Sequence, residues 1–229
     1  MKNFIYGKNS VLEALENNYP ILEIYLLKGT DNKKIKFNKI SYLSMSEMNK
    51  IINGNHQGYI AKIAPFQYYD IGTIIKDKPN HVLILDHIQD PQNFGAIIRS
   101  ANVFGIKHII IPKDRAVEVT PTVLKISSGG FKTIKIIKVA SLLESIEFLK
   151  KNGFWMYATA LNEKATSLNK IKFSNPSVII VGNEGTGVSK TLLKKSDEII
   201  YISQKANSVQ SLNVSVATGI VLYELTKEK

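Results

Sequence analysis

Ser177-Val178-Ile179-Ile180-Val181 runs straight into Gly182-Asn183-Glu184-Gly185-Thr186-Gly187. Four of the first five residues are β-branched and apolar without polar alternation, the pattern of a strand buried on both faces. The six that follow hold three glycines, an amide and a carboxylate, a mixture that lets a backbone bend and approach a ligand closely. Two other segments share this mixture: Asn93-Phe94-Gly95-Ala96-Ile97-Ile98-Arg99, and Ser211-Leu212-Asn213-Val214-Ser215-Val216-Ala217 ahead of an apolar helix. Polar, bend-competent residues at the carboxyl ends of several strands build a site on one rim of a sheet.

Outward from that stretch, strand and helix patterns alternate. Residues 82–85, 109–111, 133–139, 154–160, 177–181 and 198–202 read as strands. Helices are expected after Asp90-Pro91, where proline suits a first turn, after Pro121, after Ser141 with Glu144 at capping-box spacing, and after Gly187. Such alternation predicts an α/β domain over residues 80–229 with a parallel sheet covered on both faces. The apolar run 214–225 closes it as a helix.

Residues 1–66 read as a separate, small α/β unit. Ser10 with Glu13, and Ser44 with Glu47, have capping-box spacing and predict two helix starts. Between and after them, 21–27 and 56–63 read as strands, with a turn at 28–32. Residues 67–79 are the expected linker.

Composition narrows the function. With 229 residues and no cysteine, disulfides, thiolate metal sites and cysteine nucleophiles are excluded. The four histidines lack metal-ligand spacing, so no metal is expected. No window approaches the roughly 18 apolar residues of a membrane span, and the first residues lack a signal-peptide pattern, so a cytoplasmic protein is expected. The net charge of +11 favours a polyanionic partner. Residues 1–66 carry nine Lys against five acids, and the remainder 21 basic residues against 14 acids. Only Arg99 and Arg115 are arginine, which marks positions where a guanidinium fork is needed.

Each chemical segment has two readings. Gly182–Gly187 is either a plain strand-to-helix turn or a ligand loop; Val188-Ser189 stand where a nucleoside-triphosphate loop requires Lys and Ser or Thr. A dinucleotide fingerprint after the first strand is also missing. Arg99 serves either a surface ion pair, with Glu118 for example, or a phosphate or alkoxide. Its i, i+4 relation to Gly95 puts the two on one helix face. Ser211 and Asn213 either cap the last helix or reach a ligand.

Together, Asn93-x-Gly95-x-x-x-Arg99-x-Ala101, Gly182-Asn183-Glu184-Gly185-x-Gly187 and Ser211 to Ala217 resemble the three ordered motifs of the SpoU family of RNA ribose 2′-O-methyltransferases, in the SPOUT superfamily. Tyr6-Gly7 with His56-Gln57-Gly58-Tyr59-Ile60-Ala61 resembles the small L30e-like domain that precedes the catalytic domain in one branch. The resemblance implies a deep trefoil knot, which sequence reasoning alone would not propose. It also implies S-adenosyl-L-methionine as cofactor, a homodimer, and RNA as substrate, with a guanosine of 23S rRNA as target. The alternatives are a tRNA ribose methyltransferase and an inactive RNA-binding or assembly protein. Carried over, the catalytic set is Asn93, Arg99, Glu184, Ser211 and Asn213. The cofactor set is Thr159, Gly182, Asn183, Gly187, Ile202, Ser211 and Leu212. The chain departs from the family at Ile202-Ser203-Gln204-Lys205, where the pattern is Ile-Pro-Met, so no contact is carried over at 203–207. Methyl transfer to a sugar hydroxyl depends on positioning, with Arg99 expected to stabilise the alkoxide because arginine is a poor base.

Overall fold

The computed structural model describes residues 3–31, 35–205 and 212–227. The chain divides into two compact units, Met1–Gln67 with Val119–Lys125, and Tyr68–Glu118 with Ile126–Lys229.

The first unit begins with β1 (Phe4–Tyr6), α1 (Lys8–Glu16), β2 (Ile21–Leu27), β3 (Ile40–Leu43), α2 (Met45–Ile51) and β4 (Tyr59–Ile63). Its sheet has the order β1-β4-β2-β3, with β4 antiparallel to both neighbours and β3 parallel to β2. Ile24 and Leu26 of β2 alternate inward, and Ile60 packs with Met48 and Ile52 of the α2 region. Ser44 and Glu47 form a reciprocal capping box at the start of α2. Removing such a cap typically costs about 1 kcal/mol.

Ser10 does not cap α1. The helix starts at Lys8, three residues earlier than a Ser10 cap would set it, behind Gly7, whose φ of +92° gives the chain its entry bend. The Lys8 N–H donates instead to Gln57 Oε1 at 3.1 Å, so an acceptor from a distant loop replaces the local one. That loop is itself fixed: Gly58 N–H donates to His56 Nδ1 and His56 Nε2 lies 3.1 Å from Asn49 Oδ1.

The chain continues through α3 (Gly72–Asp77), β5 (His81–Asp86), α4 (Pro91–Val103), β6 (His108–Pro112), α5 (Pro121–Ile126), β7 (Lys135–Val139), α6 (Leu142–Lys151), β8 (Trp155–Thr159), β9 (Thr166–Ser167), β10 (Ser177–Gly182), α7 (Lys190–Lys195), β11 (Glu198–Tyr201) and α8 (Val214–Thr226). Residues 67–79 carry α3 and a bridge between Tyr69 and Ile137. Seven strands form one sheet in the order β7-β6-β5-β10-β8-β11-β9, every neighbouring pair parallel. The expected parallel α/β architecture is therefore present. Ile84, Ile110, Ile137 and Ile180 are fully buried in its core, each contributing about 1.5–3 kcal/mol relative to an exposed side chain.

From β5 the chain steps outward through β6 and β7, then returns to the other side of β5 for β10 and β8. A crevice opens where strand order reverses, outside the carboxyl ends. Helix α8 packs against α4 on the approach to that crevice. The expected knot involves the path into α8, and residues 206–211 of that path lie outside the described residues. Among the described residues no helix is long and apolar enough to cross a membrane.

Candidate active site

The carboxyl ends of β10, β8 and β11 and the start of α8 enclose a cavity of about 590 Å³. Its floor is shaped by a glycine. A Cβ built at Gly182 would stand 2.0 Å from Gly187 C and Val188 N, so only glycine lets the returning loop cross the end of β10. The loop then closes on itself. Asn183 Oδ1 accepts from the N–H groups of Gly185 and Thr186 at 2.8 and 3.1 Å, and Gly187 N–H donates to Asn183 O. Gly187 completes the turn at φ +66°. Glu184 is thereby held at the tip, half out of the loop.

A hydrogen-bonded chain joins the three motif segments. Asn93 sits in the first turn of α4, which starts at Pro91 behind Asp90, whose side chain caps Gln92 N–H at 2.9 Å. Buried Asn93 donates through Nδ2 to Glu184 Oε1 at 2.7 Å and accepts at Oδ1 from Asn213 Nδ2 at 2.9 Å. Asn213 in turn caps α8, its Oδ1 accepting from Ser215 N–H at 2.9 Å. The capping reading of Asn213 is therefore met, and because a primary amide caps with its oxygen and keeps its N–H donors, the same side chain also reaches Asn93. The Asn93 orientation is fixed from both sides.

Thr159, Gly182, Asn183, Gly187, Ile202 and Leu212 all line the cavity, as do Glu184 and Asn213. Ser211, expected in both the catalytic and the cofactor set, lies outside the described residues. Arg99 does not line the cavity. Helix α4 buries Asn93, Phe94, Ile97, Ile98 and Ala101, and Arg99 falls on the opposite, exposed side. Gly95 is buried, so the two positions expected to share a face do not share an environment. Glu118 pairs with Lys138, and Arg99 has no ion pair among the described residues.

The methylase-type domain model described as the SpoU rRNA Methylase family matches residues 80–223, and a model for RNA 2′-O ribose methyltransferase substrate binding matches residues 4–69. The chain belongs to the SpoU rRNA methylase family. Among its SpoU relatives, a Coxiella burnetii protein described as 23S rRNA (guanosine-2′-O-)-methyltransferase RlmB is 34% identical, over 98% of this chain and 94% of its own length. The crystal structure of the SpoU methyltransferase AviRb from Streptomyces viridochromogenes, in complex with AdoMet, superposes with a TM-score of 0.72 at 19% identity, covering 97% of this chain and 88% of that one. The A. aeolicus TrmH/SpoU tRNA modifying enzyme is 30% identical with a TM-score of 0.58, but covers 64% of this chain and 74% of its own.

SpoU enzymes use S-adenosylmethionine, and the cavity suits it. Its volume falls within the range of small-molecule sites, which are mostly apolar with a few convergent polar groups. Ile200, Ile202, Leu212 and Val221 offer apolar walls, and Glu184 adds a carboxylate to the lining. Gln204 also lines the cavity, inside the segment where the family pattern breaks. Thr218 and Val221 escaped sequence reasoning although the signal was present: with Val214 and Ala217 they recur at three- and four-residue spacing along α8.

Proposed function

We propose that this chain transfers a methyl group from S-adenosylmethionine to the ribose 2′-hydroxyl of a guanosine in 23S rRNA. The observation that carries the reading is the Glu184–Asn93–Asn213 chain, which ties Glu184 and Asn213 of the cavity wall to Asn93 of α4. When bound, the cofactor supplies an electrophilic methyl on a sulfonium. The protein's part is positional: Gly182 and the Asn183 turn shape the seat, and Asn93 fixes Glu184 against it. Arg99, on the outer side of α4 and without an ion pair among the described residues, is free to meet RNA and to stabilise the developing alkoxide. Arg99→Ala should remove transfer and leave cofactor affinity intact, measured by radiolabelled methyl incorporation and calorimetry; wild-type turnover would refute the role.

A homodimer is part of this reading. Val216, Ile220 and Tyr223 of α8 are 51%, 37% and 57% exposed at i, i+4 and i+7, an apolar stripe flanked by Val103 at 70%. A second copy is the occupant this stripe fits, and sedimentation should report a dimer that Ile220→Glu weakens. The first unit, matched by the substrate-binding model and carrying excess lysine, supports RNA as the partner, and a cytoplasmic location follows from that substrate.

One observation favours a second reading, tRNA as substrate: the 30%-identical tRNA-modifying relative. That match extends over 64% of this chain, whereas the 23S rRNA relative matches 98%. Methylation of 23S rRNA fragments and of tRNA transcripts side by side, followed by mapping of 2′-O-methyl positions, separates the two. Incorporation into tRNA alone would overturn the rRNA assignment.

A further inference from the structure

Strand β5 ends at the same rim in Asp86 and His87, and neither belongs to the catalytic set above. His87 has φ +59°, a left-handed backbone uncommon outside glycine. That backbone turns the imidazole back onto its neighbour, so that Nδ1 lies 2.5 Å from Asp86 Oδ1. Asp86 is buried, and its other oxygen accepts the Ser189 N–H at 2.7 Å, which locks the carboxylate to the loop following Gly187. In the neutral ring, Asp86 as acceptor places the proton on Nδ1 and leaves the lone pair on Nε2.

Nε2 makes no hydrogen bond to another described residue, and 31% of the His87 side chain is exposed. The His87 carbonyl accepts from Asn183 Nδ2 at 3.2 Å, so the residue is one hydrogen bond from the cavity wall. The reaction proposed above releases a proton, and a guanidinium is a poor acceptor for it.

We propose that His87 Nε2 accepts the proton of the ribose 2′-hydroxyl; this rests on the methyl-transfer reading. As the O–H bond breaks towards Nε2, the oxygen electron pair forms the bond to the methyl carbon. The carbon–sulfur bond breaks with its pair on sulfur, which becomes a neutral thioether. The imidazolium is stabilised by Asp86, as a carboxylate orients and supports a histidine base elsewhere, and returns its proton to water through the exposed edge. Arg99 keeps the complementary task of holding the alkoxide charge.

His87→Gly tests this, because glycine accepts the left-handed backbone and removes only the ring. The single-turnover rate should fall about 100-fold or more, with S-adenosylmethionine and RNA affinities unchanged by calorimetry and filter binding. Imidazole added to the buffer should restore part of the rate in proportion to its concentration. A near-wild-type rate, or a lost rate that imidazole does not raise, overturns the proposal. Nitrogen-15 spectra of histidine-labelled protein give a readout without turnover: the proton must sit on Nδ1 of His87, and finding it on Nε2 also overturns the proposal. A wild-type protein that binds the cofactor but methylates neither rRNA nor tRNA refutes the methyl-transfer reading itself, and this proposal with it.

Discussion

At the carboxyl ends of β5 and β10, amides and backbone groups reach between distant segments, from Asn213 to Asn93 to Glu184 and from Ser189 to Asp86. At the amino ends of β5, β10, β6 and β7, side chains close on one another. His81 Nδ1 lies 2.9 Å from Ser177 Oγ, and Asp77 is shared by Lys135 at 2.5 Å and His108 Nε2 at 2.7 Å. The amino rim also has the larger cavity, about 810 Å³ against about 590 Å³. Size therefore does not mark the site. What differs is that the carboxyl rim uses backbone and amide bonds to hold Glu184 and the glycine loop open towards a ligand, whereas the amino rim spends its charges on one another.

The comparison breaks most sharply at Gly182. Alanine there forces its Cβ to within 2.0 Å of backbone atoms of Gly187 and Val188, an overlap no rotamer change relieves. The loss should exceed the about 1–3 kcal/mol typical of overpacking. Calorimetry should find no S-adenosylmethionine binding, and thermal melting should shift down. Gly185→Ala is the control, since its Cβ meets only Asn183 Oδ1 at 3.4 Å. Equal behaviour of the two variants would remove the crossing loop as the basis of the seat.

Next in size is Asn93. Asn93→Ala leaves Glu184 Oε1 and Asn213 Nδ2 without the partner between them, at a cost of about 0.5–1.5 kcal/mol, because both residues are exposed and water can take up the freed groups. Denaturant unfolding should report that loss, and methyl transfer should fall with it. Asn93→Asp restores an acceptor for Asn213 yet should fail as well, because it sets a second carboxylate at hydrogen-bond distance from Glu184. Full activity in Asn93→Asp would show that the chain of amides is not what positions Glu184.

These contrasts bear on what was legible beforehand. The buried strands β6 and β10 announce themselves as runs of Ile and Val and β5 as an unbroken apolar run, and Asp90-Pro91 and Ser44 with Glu47 mark their helix starts through local hydrogen bonds. Ser10 misleads because the acceptor that starts α1 is Gln57, 49 residues away. Strands β1, β3 and β9, of three, four and two residues, are too short to show periodicity. At the site, spacing located the three segments, but not that Asn213 serves two partners at once or that Arg99 leaves the cavity. Both depend on how α4 and α8 are rotated against each other, a tertiary property that motif order does not encode.

The smallest expected effect belongs to the amino rim and is read by pH. Burial holds the imidazoles of His81 and His108 below the ordinary histidine range, outweighing the upward pull of Asp77 on His108. His108 Nδ1 is, in addition, buried with no hydrogen-bond partner among the described residues, as follows when Nε2–H is given to Asp77. In the unfolded chain both rings titrate near the ordinary value of about 6.5. Their contribution is therefore complete above that value and shrinks as the pH drops towards the depressed folded values, where the unfolded state binds more protons. Asp77, held down by hydrogen bonds from Lys135 and His108, adds a loss only below the carboxylate range, from about 3.9 downwards. Melting temperature should thus decline modestly between pH 7.5 and 5.5, and a His81→Asn, His108→Asn double variant should flatten that slope. A slope unchanged in the double variant would mean that the amino rim contributes no pH sensitivity, and its closed pairs would lose their place in the contrast.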